Sequence, residues 1–386
     1  MAATLVLSGL AFQVCFGIIG FGRGGGRNQD GAALYAAGKT WVAGANPYAH
    51  ENLLQSVRGT GINLTDVFFF YPPQSAALVV PLAPFDYSTA QLIWLTVNLI
   101  AIAAILVLMV RSAEPVSTFT GTWLLTALFL GSPFTAHVVW TGQTSLVAFA
   151  ATYGAWFFSR RERWVLAGLC LGIATFKPQI CILLLLWFFL QRSWNILAVA
   201  SATIAAMSAY PAFVRGPLGM MVEWQRGLAD NYSSLVFNQP SFEHVIGLQA
   251  LLNSVDIRVP DLLWAGALGT VVLWMFQAKI LAEFIPGILF ALTFVFVGHL
   301  HDYDYAGLVF VFAPLLVHTA RNAVAFRSVL SLILLLYVPQ RLVRLFYIPA
   351  LNHWRELLVV VLLCMLVHFS REERKYVASD PLSASG

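Results

Sequence analysis

The chain has 386 residues, 59% of them hydrophobic and 10% charged, with a formal net charge of +4 and a mean hydropathy of +0.77. That balance excludes an ordinary soluble domain, and basic residues this scattered make no nucleic-acid surface. The four cysteines, Cys15, Cys170, Cys181 and Cys364, sit in apolar stretches without a C-x-x-C pair; they read as small core residues rather than a metal or redox centre.

Apolar runs close to the ~17–25 residues that cross a bilayer recur along the chain, separated by short polar turns. Twelve crossings are expected, near 5–21, 90–110, 119–139, 143–159, 164–176, 178–191, 194–214, 259–276, 282–298, 303–318, 328–346 and 353–370. The fold class is therefore all-α and polytopic. One integral-membrane domain covers 1–370, with outer loops at 22–89 and 215–258, and 371–386 form a cytoplasmic C-terminal tail, of which 379–386 read as disordered. No basic region precedes 5–21, so it reads as a retained span and not a cleaved signal.

After the first span, Arg23-Gly24-Gly25-Gly26-Arg27 is glycine-rich but lacks the Lys-Ser/Thr of a phosphate loop, and it reads as a flexible entry to the first outer loop. The next four residues are Asn28-Gln29-Asp30-Gly31. An acid at a membrane boundary is costly and marks a functional site more often than not. Asp30 is the candidate catalytic carboxylate; a helix cap or a partner for Arg27 is the structural alternative. From Asp30 to Val42 the spacing of Leu34, Ala37 and Trp41 predicts a short helix stopped by Gly44, with Tyr35 and Trp41 suited to the membrane interface. Tyr71 precedes Pro72-Pro73 and shapes the turn into an interfacial or re-entrant helix over 75–85.

The fifth and sixth apolar runs are too short to cross alone. They read as two half-depth helices meeting at Phe176-Lys177-Pro178. With the N-terminus inside, the cytoplasmic turns take Arg111, Arg160, Arg161, Arg163, Arg192, Lys279, Arg321, Arg327, Arg371, Arg374 and Lys375, whereas the short outer turns at 140–142, 299–302 and 347–352 hold no Lys or Arg. That is the positive-inside asymmetry. It places Gln143, Lys177 and the run His299-Leu300-His301-Asp302-Tyr303-Asp304 outside with both long loops.

Cations on that outer side, Lys177, Arg341, Arg344 and Arg355, suit an anionic group such as phosphate. Arg341 and Arg344, three apart on the eleventh span, fall on one helical face; snorkelling to lipid headgroups is the alternative. The run from His299 to Asp304 suits sugar hydroxyls or assistance to a base. A metal site there lacks a second cluster of ligands, so no metal is assigned. In the second loop, Glu223, Trp224, Arg226, Asp230, Asn231, Tyr232, Asn238 and Gln239 mix rings with hydrogen-bonding groups, as a carbohydrate surface or a solvated loop would.

Taken in order, Asp30-Gly31-x-x-Leu34-Tyr35, Asn46-Pro47-Tyr48, Tyr71-Pro72-Pro73, Gly142-Gln143-Thr144, Gly168-x-x-x-Gly172 leading to Lys177-Pro178, and His301-x-Tyr303-Asp304 resemble glycosyltransferase family 87 over about residues 5–345. The resemblance implies the C-type glycosyltransferase fold and an inverting transfer of a hexose, mannose above others, from a polyprenol-phosphate carrier to a lipid or glycan acceptor. It implies the essential acid at Asp30 and a His–Tyr–Asp element at 301–304. Substrate-binding candidates are then Lys177, Arg341, Arg344, His299, His301, Asp302, Asp304, Gln143 and Tyr71. The expected partners are the polyprenol-phosphate sugar, its acceptor and membrane lipids, with no nucleic acid and no cofactor. The expected setting is a bacterial-type plasma membrane, with the site on the extracytoplasmic face. A transporter or flippase of the same lipid-linked substrate, or a non-catalytic subunit, is the rival reading; a transporter predicts broken helices in both halves, and only one break, at 176–178, is evident.

Overall fold

A computed structural model of the chain describes residues 2–23, 30–62, 68–113, 119–232, 235, 238–240, 242, 244–320, 322–346 and 349–379. Among these residues the fold is almost wholly helical. A single sheet joins Val245–Ile246 to Leu300–His301, antiparallel, with Val245 opposite His301. The glycine-rich 24–27, and Asn28-Gln29 with them, lie outside the described residues.

Three helices are long and apolar enough to cross a membrane: Ala3–Gly22, Tyr87–Ser112 and Leu351–Arg374. Two bent pairs, Gly121–Leu130 with Pro133–Thr141 and Trp194–Met207 with Ala209–Arg215, make up to five if each counts as one span. The bends have local causes. Pro133 opens its helix at a position where no N–H is needed, with the Ser132 hydroxyl capping Thr135. Pro211 removes the hydrogen bond that Met207 would accept, and the preceding helix ends at Met207. The remaining seven expected crossings fall on shorter helices. Ser145–Ser159, with 15 residues, rises roughly 22 Å at 1.5 Å per residue, less than the ~30 Å of a hydrocarbon core.

The break at 176–178 is as the sequence predicts: helices Trp164–Ala174 and Pro178–Leu190 flank a turn in which Phe176 and Lys177 are buried. The eleventh run differs. Its helix is Ala323–Leu336, and the chain then breaks, so Arg341 lies in the short helix Gln340–Val343 and Arg344 in the 3₁₀ turn Arg344–Phe346. Pro339 disfavours a helical conformation at Val338, which removes the single face expected to carry both arginines. At the C-terminus the last helix, Trp354–Ser379, continues through the first nine residues expected to be tail; residues 380–386 lie outside the described ones.

The segment expected as the first outer loop folds onto the protein. Helix Asp30–Val42 forms as predicted, but Tyr35 and Trp41 are not at an interface. They are 2% and 1% exposed, in a core with Leu53, Phe69, Val79 and Trp94. The Tyr35 hydroxyl donates to the Phe85 carbonyl at 2.9 Å, and Trp41 meets Tyr48 and Phe69 edge-on. Their cover is the short apolar helix Pro73–Leu82, which approaches at Gly38, where an added Cβ would stand 2.3 Å from the Val79 carbonyl oxygen. Gly38→Ala is therefore expected to cost about 1–3 kcal/mol, as overpacking does, read as a lower midpoint in a thermal melt of the detergent-solubilised protein. The cysteines also divide: Cys181 and Cys170 pack inward, whereas Cys15 and Cys364 are exposed on the surfaces of the two long terminal helices, so only the first two are core residues.

Candidate functional site

A backbone contact places the candidate base. Gly142 ends the Pro133–Thr141 helix in the left-handed region, φ +69°, and a Cβ there would stand 3.2 Å from the Cα of Gly31. Only glycine tolerates both conditions. The Trp94 indole donates to the Gly142 carbonyl at 2.7 Å and holds it. Asp30, the first residue of its helix, is thereby brought beside Gln143, whose side chain favours the charged carboxylate.

Gln143 is buried and organises the surroundings. Its Oε1 accepts from the Tyr71 hydroxyl at 3.0 Å, and its Nε2 donates to the Tyr303 hydroxyl at 2.9 Å. The Thr144 hydroxyl donates to Tyr71 at 3.0 Å. Burial pushes the Asp30 carboxyl above its ordinary range, while His301, the Gln143 hydrogen bond and Lys177 act against that rise. A carboxyl so placed is a better proton acceptor than one in water.

His301 reaches the cluster from the strand Leu300–His301. Its ring stacks on Tyr303 with centroids 5.3 Å apart, and it shares a capping box with Asp304: the His301 side chain accepts from the Asp304 N–H, and Asp304 Oδ2 accepts from the His301 N–H at 3.0 Å. Asp304 is 0% exposed and Lys177 3%. Lys177 Nζ donates to Asp304 Oδ1 at 2.6 Å and to the Ser145 hydroxyl at 2.7 Å, and Ser145 donates to the same carboxylate oxygen at 2.6 Å. The anionic partner that a buried lysine demands is thus the protein's own carboxylate.

Asp302 faces two histidines that sequence reasoning missed. Its Oδ2 lies 2.8 Å from His244 Nδ1, its Oδ1 lies 3.7 Å from His137 Nδ1, and its N–H donates to the His244 carbonyl at 2.8 Å. Burial alone pushes the Asp302 carboxyl up; the His244 hydrogen bond and the charges of His137, His244 and Arg355 outweigh it, and the net direction is down. The available signals were His137, an ionisable residue inside an apolar run, and His244 in the second loop, which the two-strand ladder pins beside His301.

Asp30, Gln143, Tyr71, His301, Asp302, Asp304 and Lys177 are therefore one neighbourhood, drawn from five separate stretches of chain. His299 stands at its rim, exposed, with φ +63°. Arg341 is exposed, and no hydrogen bond or ion pair joins it to this cluster among the described residues; the Arg344 side chain lies outside them. In the second loop Glu223 pairs with Arg215, and the Trp224 indole donates to the Phe70 carbonyl at 3.0 Å, so both hold the loops together. Next to Gly31 lies a small apolar cavity of about 10 Å³, lined by Phe21, Gly31, Tyr35, Leu82, Tyr87 and Trp94. The Tyr35 hydroxyl and the Trp94 indole N–H are turned to carbonyls.

No three His, Cys, Asp or Glu side chains converge as a metal-ion set among the described residues. Activity is expected to survive EDTA. A complete loss restored by a divalent ion would reassign the histidines and Asp302 as ligands.

A sequence model described as Glycosyltransferase family 87 matches residues 69–299, more than half of the chain. Tyr71, His137, Gln143, Lys177, His244 and His299 fall inside the match; Asp30 and residues 301–304 fall outside it and rest on the site geometry. No curated protein matches the chain.

Proposed function

Since the chain belongs to glycosyltransferase family 87, we propose that it is an inverting hexosyltransferase that uses a polyprenol-phosphate sugar, mannose above others. Membership implies a glycosyltransferase, and the apolar helices with the family fit an integral membrane protein. The proposal adds the donor, the sugar, a C-type glycosyltransferase fold of twelve crossings, and a site on the extracytoplasmic face of the plasma membrane. The positive-inside asymmetry supports that orientation.

In the proposed reaction the acceptor hydroxyl oxygen attacks the anomeric carbon. Its proton passes to Asp30, a bond forms from that oxygen to carbon, and the carbon–oxygen bond to phosphate breaks, its electron pair leaving with the phosphate. His301 and Gln143 orient the Asp30 carboxylate. Asp304, anchored by Lys177, positions His301 through the His301 N–H. The observation that carries the reading is the close approach of Gly31 to Gly142, which sets Asp30 beside the buried Gln143 and its tyrosine partners.

The test is transfer of a radiolabelled hexose from synthetic polyprenol-phosphate sugars to extractable acceptors by membranes containing the protein. New labelled product with released polyprenol phosphate is expected. Label that crosses the membrane still attached to its carrier would instead make the protein a flippase, and no donor consumed or moved would leave a binding role.

A further inference from the structure

Next to Asp302, at the edge of the Asp30 neighbourhood, lies a second polar group that the proposed reaction does not use. Arg355, the second residue of the last helix, is 7% exposed. Its Nε donates to the Leu336 carbonyl at 3.1 Å and its Nη2 to the Val338 carbonyl at 2.8 Å, where the Ala323–Leu336 helix has ended. The guanidinium lies 5.0 Å from the ring centre of Phe134 and 5.5 Å from that of Trp354. Two carbonyls and two rings therefore fix its plane.

No carboxylate touches it: among the described residues none forms an ion pair with Arg355, and Nη1 has no hydrogen-bond partner. Asp302 and Glu356 are the carboxylates whose charge reaches it. Two further donors beside it are also unpaired and buried: the Tyr305 hydroxyl and the Trp354 indole N–H. Tyr305 is 2% exposed and packs its ring on Phe134 at 5.5 Å. Two buried acceptors nearby are unpaired as well: Glu356 Oε2, whose other oxygen faces His353 at 3.3 Å, and Asp302 Oδ1. Buried polar atoms in native proteins almost always have partners, and several without one in a single place call for an absent group. A buried cation without an anion is costlier still.

We propose that Arg355, Tyr305 and Trp354 hold the phosphate of the lipid-linked sugar, and that Glu356 accepts from a hydroxyl of the sugar. Three donors around one fixed guanidinium suit a phosphodiester oxygen pair, and the Glu356 acceptor suits a neighbouring hydroxyl. The other outer cations fit less well. Lys177 is neutralised by Asp304, and Arg341 is exposed on its short helix. Asp302 links the two places, since it meets His137 and His244 on one side and lies in the field of Arg355 on the other. The inference rests on the transferase reading for the sugar, but its core, a lipid-phosphate site at Arg355, can be tested without turnover.

The experiment measures binding of a short-chain prenyl phosphate to the purified full chain in nanodiscs of zwitterionic lipid, with the matching prenyl alcohol as control. Parallel nanodiscs containing phosphatidylglycerol separate a carrier phosphate from a bulk headgroup. Wild type is expected to bind the phosphate at least tenfold more tightly than the alcohol, with little competition from phosphatidylglycerol. Arg355→Gln is expected to remove that preference, Arg355→Lys to keep part of it, and Arg341→Ala to leave it intact. Tyr305→Phe deletes a hydroxyl that has no protein partner, so it should fold normally and still weaken phosphate binding several-fold. Equal binding of phosphate and alcohol by wild type, or unchanged phosphate preference in Tyr305→Phe and a folded Arg355→Gln, overturns the proposal. Strong competition by phosphatidylglycerol overturns the carrier and leaves a headgroup site. Phosphate binding through Arg355 in a protein that transfers no sugar would overturn the transferase reading and keep the site.

Discussion

Asp30→Asn is expected to lower hexose transfer by about 10²–10⁴-fold, the usual contribution of a positioned base, while the protein inserts and purifies as wild type. The amide keeps the shape and the Gln143 contact but cannot take a proton from the acceptor. Steady-state transfer by purified variant and wild type is the measurement, and a rate within a few-fold of wild type removes Asp30 from the chemistry. The same carboxyl sets a pH dependence. Its burial raises it above the ordinary value of 3.8, and only its deprotonated form is a base. Activity should therefore rise with pH along a limb displaced upward from ordinary carboxyl titration, and that limb should vanish from whatever residual rate Asp30→Asn retains.

The second large effect is on stability. Lys177 and Asp304 are 3% and 0% exposed and joined at 2.6 Å, so removing one partner leaves the other as an uncompensated buried charge. Lys177→Met or Asp304→Leu alone is expected to cost about 3–5 kcal/mol, whereas the double variant Lys177→Met/Asp304→Leu should regain much of that loss. Thermal melts in detergent compare the three. Regained stability should not restore activity, because Asp304 also accepts from the His301 N–H and positions that ring. Single variants as stable as wild type would mean the pair is not an anchor.

The apolar runs made nearly every helix legible, and Pro178 made the break beside Lys177 legible too. Asp30 stood out as an acid just past the first apolar run in a chain with 10% charged residues. The pairing of Lys177 with Asp304 was not legible, since 127 positions separate them and no periodicity connects residues in different helices. The misplacement of Arg341 and Arg344 was avoidable: Pro339 announces a break that the length of the apolar run concealed. Tyr35 and Trp41 were misjudged because interfacial and buried rings have the same local pattern, and only the close approach at Gly38 decides between them. His137 and His244 gain meaning solely from Asp302, which a linear reading associates with its neighbours in sequence. Crossing number is the least legible quantity, because bends turn one apolar run into two helices of different direction.

The two-residue ladder between Val245–Ile246 and Leu300–His301 decides which way the end of the second loop faces. In an antiparallel pair a shift of one residue turns every side chain to the opposite face. His244 meets Asp302 only in the present register, one position beyond the Val245–His301 pair. A single insertion or deletion inside the strand, between His244 and Ile246, would leave the composition almost unchanged yet turn that histidine away from the carboxylate. Residue count is therefore constrained where the loop becomes strand, as a ruler is constrained where its divisions are read.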